Sequence, residues 1–348
     1  MSGRWMIYGA NGYTGRLMVD EAVRRGFAPI VAGRRREAVE PIAREHGLEA
    51  RSFDLADAGA HLGGVAAVVL AAGPFTQTSK SLVDACLAAR VHYLDITGEI
   101  AVFEACAARG PEARERGVVL LPGVGFDVVP SDCLAARLAA ALPGATSLEL
   151  ALSGGSSPSA GTAKTMLEAL PEGGLIRADG ILKKVPTAWK TAEFQFSDKT
   201  RHAVTIPWGD VSTAYQSTKI PNIVVYMALP ARAARVLQLA EPLLGIFAVP
   251  AFRKAAGLII ERAVPGPNEE ERRTHRSHLF GRVRDAAGHE VTATLDTPEG
   301  YALTARTSVE CAERVAASQV QPGAQTPSLA FGAGFIETFE GCELRLAT

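Results

Sequence analysis

The residues best suited to chemistry in this chain are three glycines at spacing G-x-x-G-x-x-G, in Gly9-Ala10-Asn11-Gly12-Tyr13-Thr14-Gly15. Lacking side chains, they let the backbone approach a pyrophosphate, and a helix opening there turns its positive end to the same group. The turn follows the apolar run Trp5-Met6-Ile7-Tyr8 and precedes a predicted helix over Arg16–Arg25. A strand before and a helix after are the context that a bare glycine triplet lacks. The chemistry implied is dinucleotide binding, with all seven residues, Gly9 to Gly15, against the cofactor.

The end of the second strand selects the dinucleotide. An acid about 20 residues after the glycine turn would hold the ribose hydroxyls of NAD. Here Gly33-Arg34-Arg35-Arg36 stands instead, with no acid before Glu37. A guanidinium grips a 2′-phosphate through paired charge-assisted hydrogen bonds. Arg34 is therefore the expected NADP-reading residue and Arg35 the second choice; the alternative is a solvated basic helix start. Asp54, just past the third strand, either reaches the adenine edge or caps a short turn. Ala72, Gly73, Pro74 and Phe75 end the fourth strand, where Gly73 permits close backbone approach to the cofactor or simply makes a turn.

A hydride acceptor must be positioned and usually given a proton. Tyr93 and Asp95 lie two apart on one strand and share a face. With Thr97 and Glu99 they line the exit of that strand. Tyr93 is a proton donor or a core tyrosine with a satisfied hydroxyl. Asp95 serves substrate or pairs with buried backbone. Asp127, flanked by Phe126 and Val128 after the sixth strand, is placed to touch substrate or handle a proton. Thr162 and Lys164 open a later helix. A lysine there opposes the helix dipole and invites an anion, or is simply a surface lysine. The catalytic candidates are Tyr93, Asp127 and Lys164; the substrate candidates are Asp95, Thr97 and Thr162. His275 and His278 have no third metal ligand near them in sequence, so no metal site is expected.

The elements that must position these residues alternate strand and helix. Strands are predicted at Ala28–Gly33, Glu49–Phe53, Val65–Ala72, His92–Ile96 and Val118–Leu121. Helices are predicted at Glu37–His46 and Ser79–Arg90, the latter with Ser79 as N-cap, and helical material at Glu99–Arg116. Repeated strand–helix–strand units imply a doubly wound parallel sheet of six strands. Beyond it the pattern is that of an α+β domain. Helices are expected near Ser131–Ala141 and Thr162–Leu170, a strand at Ser147–Leu152, and strands through Phe194–Ala228. A hairpin or meander is expected over Arg282–Arg306, and a last helix near Leu329–Phe339 that packs back on the first domain. The expected boundaries are 1–125, 126–322 and 323–348.

Lys and Arg (36) nearly balance Asp and Glu (37), which argues against nucleic acid as partner. The five cysteines form no C-x-x-C pair and read as thiols of a reducing compartment. Only four residues precede the first strand, so no signal peptide is expected, and the location expected is cytoplasmic. The apolar region Val236–Ile260 is broken by prolines and charges. Its uncharged run Pro242–Phe252 is short of the ~20 residues of a spanning helix. It points to peripheral membrane contact or a homodimer contact.

Together these motifs resemble the saccharopine dehydrogenase-like family. The resemblance rests on Gly9–Gly15, Ala32-Gly33-Arg34, Gly73-Pro74-Phe75, Tyr93-Leu94-Asp95-Ile96-Thr97-Gly98-Glu99 and Gly125-Phe126-Asp127-Val128-Val129-Pro130-Ser131-Asp132. Ala160-Gly161-Thr162, Gly300-Tyr301 and Leu303-Thr304 add to it. It looks closest to the branch named for trans-acting enoyl reductases. Asn11 departs from the Thr frequent in that branch, and Asn is tolerated in a left-handed turn. The resemblance implies an NADP-binding Rossmann domain and an NADPH-dependent reductase. Its hydride acceptor would be a C=C or C=N bond of a small or lipid-like substrate. A non-catalytic NADP-binding sensor or membrane-surface scaffold is the alternative.

Overall fold

The computed structural model describes residues 3–154, 156–169, 173–244, 246 and 249–347. The chain divides into two compact units, residues 3–129 with 301–332, and residues 130–300 with 333–347.

The first unit is built on seven parallel strands: β1 (Trp5–Tyr8), β2 (Ile30–Gly33), β3 (Ala50–Ser52), β4 (Ala67–Leu70), β5 (His92–Asp95), β6 (Val119–Leu121) and β15 (Gly323–Ala324). Their order is β15-β6-β5-β4-β1-β2-β3. Strand order reverses between β1 and β4, which is where a doubly wound sheet opens its ligand crevice. β1, β2 and β4 are buried along their whole length, because continuous apolar runs suit a sheet covered on both faces. The crossovers are α1 (Tyr13–Arg24), α2 (Arg36–His46), α3 (Phe75–Ala89), α4 (Ile100–Ala108) and α5 (Gly110–Arg116). α2 stops at Gly47 and α5 at Gly117, both left-handed, as expected of glycine at a helix end.

Two expectations change here. α3 begins at Phe75, four residues ahead of Ser79, and Ser79 is buried inside it rather than capping it. The reason is a non-local cap from Glu99, described below. The boundaries also differ from those expected, because residues 301–332 belong to the first unit. The helix Gly300–Ala316 is tied there by Arg25, whose guanidinium bonds Glu310 (2.9 Å) and the Arg306 carbonyl (3.3 Å). Trp5 Nε1 donates to Glu313, and Gly323 and Gln325 donate to the β6 edge at Val118 and Leu120. Only pairing in space reveals this return, because β15 is two residues long.

The second unit holds a nine-stranded mixed sheet: β7 (Ser147–Ser153), β8 (Gly174–Ala178), β9 (Ile181–Val185), β10 (Thr191–Gln195), β11 (Thr200–Thr205), β12 (Asn222–Ala228), β13 (Arg276–Arg284), β14 (Glu290–Pro298) and β16 (Glu343–Ala347). The path is β10-β11-β12-β7-β13-β14-β16, with β8 and β9 branching from β12. One face packs Phe194 against Tyr226 (4.9 Å between ring centroids) and Phe280 (5.3 Å). At Gly281 the opposite face meets the helix Val129–Ala141; a Cβ there would lie 2.5 Å from Leu138 Cδ1.

The stretch expected to favour strands, Phe194–Ala228, contains the helix Asp210–Thr218, whose first five residues are buried. The hairpin expected over Arg282–Arg306 is β13–β14, turning at Gly288; from Gly300 the chain is helix, because Leu303, Thr307, Val309 and Cys311 supply a buried helical face. The segment Leu329–Phe339 is a short helix, Pro327–Phe331, and a 3-10 turn, Phe335–Thr338. Its expected return to the first domain ends at Gly332; residues 333–347 join the second unit, where β16 pairs with β14. Gly155 and Leu170, and residues 245, 247 and 248 of the apolar run, lie outside the described residues.

Gly15 has the least room of the turn glycines: a Cβ there would sit 2.2 Å from the Gly9 carbonyl oxygen. Gly15→Ala must shift backbone rather than a side chain. We expect it to lower the unfolding free energy by ~1–3 kcal/mol in chemical denaturation.

Candidate functional site

The site is the carboxyl edge of the first unit's sheet, where the loops after β1, β2, β4, β5 and β6 meet. After β1, Gly9 takes φ +92° and donates to Ala32 O (2.8 Å), while Gly12 N donates to Gly9 O (3.0 Å). A Cβ on Gly9 would lie 2.9 Å from the Ala71 carbonyl carbon, so the β1 and β4 loops touch. α1 starts with Gly12 as N-cap, which has no side chain to cap with, and its first turn holds no acid. Its positive end is thus left for an external anion. Asn11 Oδ1 lies over Gly33, where a Cβ would come within 3.1 Å of it. The Tyr13 ring meets Tyr301 edge to face at 5.1 Å.

Past β2, Arg34 and Arg35 are exposed, and among the described residues neither is ion-paired; Arg36 is paired, with Glu40. Burial raises the Tyr8 hydroxyl pKa, with Asp54 raising it further and Arg34 opposing. Both charges therefore act at the Tyr8–Phe53 corner, where Tyr8 donates to Phe53 O (3.0 Å). Asp54 is the N-cap of the turn Leu55–His61 and accepts from Ala56 N, which is the capping alternative of its two sequence readings.

On the other half of the edge, acids hold the loops. Asp95 is fully buried. Its Oδ1 accepts from Thr97 N (3.0 Å) and Gly123 N (2.9 Å), its Oδ2 from the Tyr93 hydroxyl (2.6 Å). Burial pushes its carboxyl up to about 6 against those three hydrogen bonds. Burial and Asp95 push the Tyr93 phenol well above its usual range. Thr97, also buried, accepts from Glu99 N (2.9 Å). Glu99 reaches back to the β4 loop, accepting from Phe75 N (2.8 Å) and Thr76 N (2.7 Å). Thr78 Oγ1 bonds Ala72 O (2.7 Å) and Pro74 O (3.1 Å), leaving Gly73 exposed between them.

These contacts match the structural alternatives read for Tyr93 and Asp95 in the sequence. Tyr93 lies in the hydrophobic core and donates its hydroxyl to Asp95. Asp95 and Thr97 both bond the backbone of the strand-exit turns. The reach of Glu99 to the β4 loop was not foreseen; its only signal was Pro74 at an N-cap that no local side chain serves.

Asp127 is different. It sits in the β6 loop, half-buried, with its Oδ2 against Gly98, where a Cβ would come within 3.0 Å. Among the described residues no donor is bonded to its carboxyl, and desolvation alone raises it to about 7. The loop under it is held by Thr304, which accepts from Phe126 N (2.9 Å), and by Thr307, which donates to Val124 O (2.7 Å).

Thr162 and Lys164 belong to the second unit. Ser159 caps their helix, Ala160–Ala169, accepting from Thr162 N (3.3 Å). Lys164 packs its stem on the helix Pro250–Ala263, with Cε 4.0 Å from the Cβ position of Gly257. His278 bonds Asp296 (2.7 Å), and among the described residues no group of three ligating side chains is arranged for a metal.

Residues 5–121 match the family model of the saccharopine dehydrogenase NADP binding domain. Over that stretch the chain is similar to a saccharopine dehydrogenase NADP binding domain. Trans-acting enoyl reductases of Mycobacterium tuberculosis and Mycobacterium bovis are 31% identical to it over 138 residues, which is 36% of this chain and 33% of theirs. A lipid droplet localized protein of Caenorhabditis elegans is 28% identical over 144 residues, 36% of this chain and 34% of its own. The chain thus spans about a third of the length of the relatives it matches. In structure it is similar to apo saccharopine dehydrogenase (L-Glu forming) of Saccharomyces cerevisiae, with a TM-score of 0.66 at 12% identity, over 99% of this chain and 100% of that one. The fold is shared over both units. Within residues 5–121, the acid-free start of α1, the crowded glycines and the exposed arginines fit a phosphorylated dinucleotide.

The raised Asp127 carboxyl links site to stability. A carboxyl titrating near 7 when folded and near 4 when unfolded holds more protons in the folded state between those values, so stability is present below pH 4 and lost as pH rises to 7. We expect Asp127→Asn to remove that decline. It should be more stable than the parent at pH 8 by a few kcal/mol, at about 1.4 kcal/mol per pKa unit, and show no gain at pH 4. Denaturant unfolding across pH measures this, and equal slopes for both proteins would refute it.

Proposed function

We propose that this chain is an NADPH-dependent reductase, with Asp127 as proton donor and a C=C or C=N bond of a small or lipid-like molecule as hydride acceptor. The observation that carries it is a desolvated carboxyl, with no donor bonded to it among the described residues and titrating near neutrality, on the β4–β6 half of a dinucleotide edge. A donor with a pKa near working pH is what general acid catalysis needs. The amides and glycines of Gly9–Gly15 would hold the pyrophosphate, and Arg34, backed by Arg35, the 2′-phosphate. Residues 72–75 would form the floor of the nicotinamide half. NADPH, when bound, supplies the hydride. Asp127 then gives its proton to the neighbouring atom of the reduced bond.

The enoyl preference is supported by the names of the matched enoyl reductases and by apolar surface in the second unit. There the helices Ala231–Leu244 and Pro250–Ala263 expose Val236, Leu239 (81% exposed), Phe252 and Ile259 (67%). Peripheral membrane contact and self-association are proposed for the same faces. No described helix is long and apolar enough to cross a membrane.

Two measurements test the reading. Arg34→Ala should weaken NADPH binding roughly tenfold or more, leaving NADH nearly unchanged. An unaltered preference for NADPH removes Arg34 as the discriminator. NADPH oxidation should occur with enoyl thioesters in a panel that also holds imines and ketones. Turnover with imines alone would exclude the enoyl assignment, and turnover with none would favour a non-catalytic binder.

A further inference from the structure

α1 and α3 start at the same sheet edge and are treated oppositely. The N-cap of α1 is Gly12, which has no side chain, and its first turn holds no acid. α3 follows Pro74, which cannot cap it with a side chain, and receives the Glu99 carboxylate instead, one oxygen on Phe75 N (2.8 Å) and the other on Thr76 N (2.7 Å). Glu99 is itself fixed, since Thr97 Oγ1 accepts from its amide and Thr97 N donates to buried Asp95. The carboxylate thus closes α3 to external anions and places a negative charge beside the exposed Gly73 turn.

In a doubly wound sheet each half of the edge takes one nucleotide of a dinucleotide, with the crossover at the switch point. Arg34 marks the β1–β3 half as the 2′-phosphate side, which leaves the nicotinamide to the β4–β6 half, where Glu99 stands. We infer that Glu99 is a positioning residue: it anchors the Gly73–Pro74 turn and supplies a fixed negative charge that favours the cationic, oxidised nicotinamide over the neutral, reduced one. The inference rests on the cofactor reading above. Donating hydride makes the ring positive, so a charge already in place lowers the cost of that change without itself moving. Asp127 on the same half is the complement, a carboxyl to which no donor is bonded among the described residues.

The test is the ratio of Kd for NADP+ to Kd for NADPH, measured by calorimetry without substrate. Glu99→Gln keeps shape and part of the hydrogen bonding but removes the charge. We expect the ratio to rise roughly three- to tenfold, with any loss common to both nucleotides reflecting the loosened turn. Gly73→Ala disturbs the turn and leaves the charge, so it should weaken both nucleotides alike. An unchanged ratio in Glu99→Gln, or an equal rise in Gly73→Ala, overturns the proposal while leaving NADP binding intact. Failure of the parent protein to bind either nucleotide overturns the cofactor reading instead. Should Glu99→Gln not fold, the parent decides by salt titration. The two nucleotides differ by one charge at the ring, so screening should raise the ratio as ionic strength increases. A flat or falling ratio overturns the proposal.

Discussion

Asp95 is a carboxylate buried without a cation, and such a group is stable only when its oxygens are occupied. Three donors occupy them, from Tyr93, Thr97 and Gly123. That requirement shapes the functional edge. The Thr97 amide bends the chain out of β5, which sets up Thr97 to hold Glu99, and Glu99 to hold the start of α3. The Gly123 amide draws the β6 loop to the same atom, and that loop carries Asp127. One desolvated acid therefore fixes three loops, and the order of the site follows from satisfying it.

The two halves of the edge use opposite electrostatics for different tasks. On the β1–β3 side α1 begins without an acid in its first turn, and among the described residues Arg34 and Arg35 are exposed and not ion-paired, as suits a ligand carrying phosphates. The β4–β6 side is acidic, but its three acids are in different states. Asp95 is locked by donors, Glu99 is bonded to backbone, and Asp127, with no donor bonded to it among the described residues, titrates near 7. Environments that separate carboxyls in this way assign them to separate roles. The first two hold loops; the third is the acid proposed above as proton donor.

The second unit contributes a broad mixed sheet whose aromatic face is closed by Phe194, Tyr226 and Phe280. Its helices Ala231–Leu244 and Pro250–Ala263 carry exposed apolar side chains. Ala234 and Leu237 pack inward while Val236 and Leu239 point out.

The glycine turn, the Gly33-Arg34 ending and the strand–helix alternation were legible in the chain because each is local. A pyrophosphate turn needs glycine at fixed spacing, and a buried parallel strand needs a continuous apolar run, whatever surrounds them. The parallel sheet and the dinucleotide reading follow from those patterns. What the linear order did not disclose were contacts between residues distant along it. Glu99 caps a helix that starts 24 residues earlier, so α3 begins at Phe75 and not at Ser79. The strand Gly323–Ala324 returns to β6 across some 200 residues, too short to announce itself. Tyr93, Asp95 and Asp127 all carry groups suited to proton transfer. Burial and donor supply decide among them, and both are properties of the packed edge rather than of residue type.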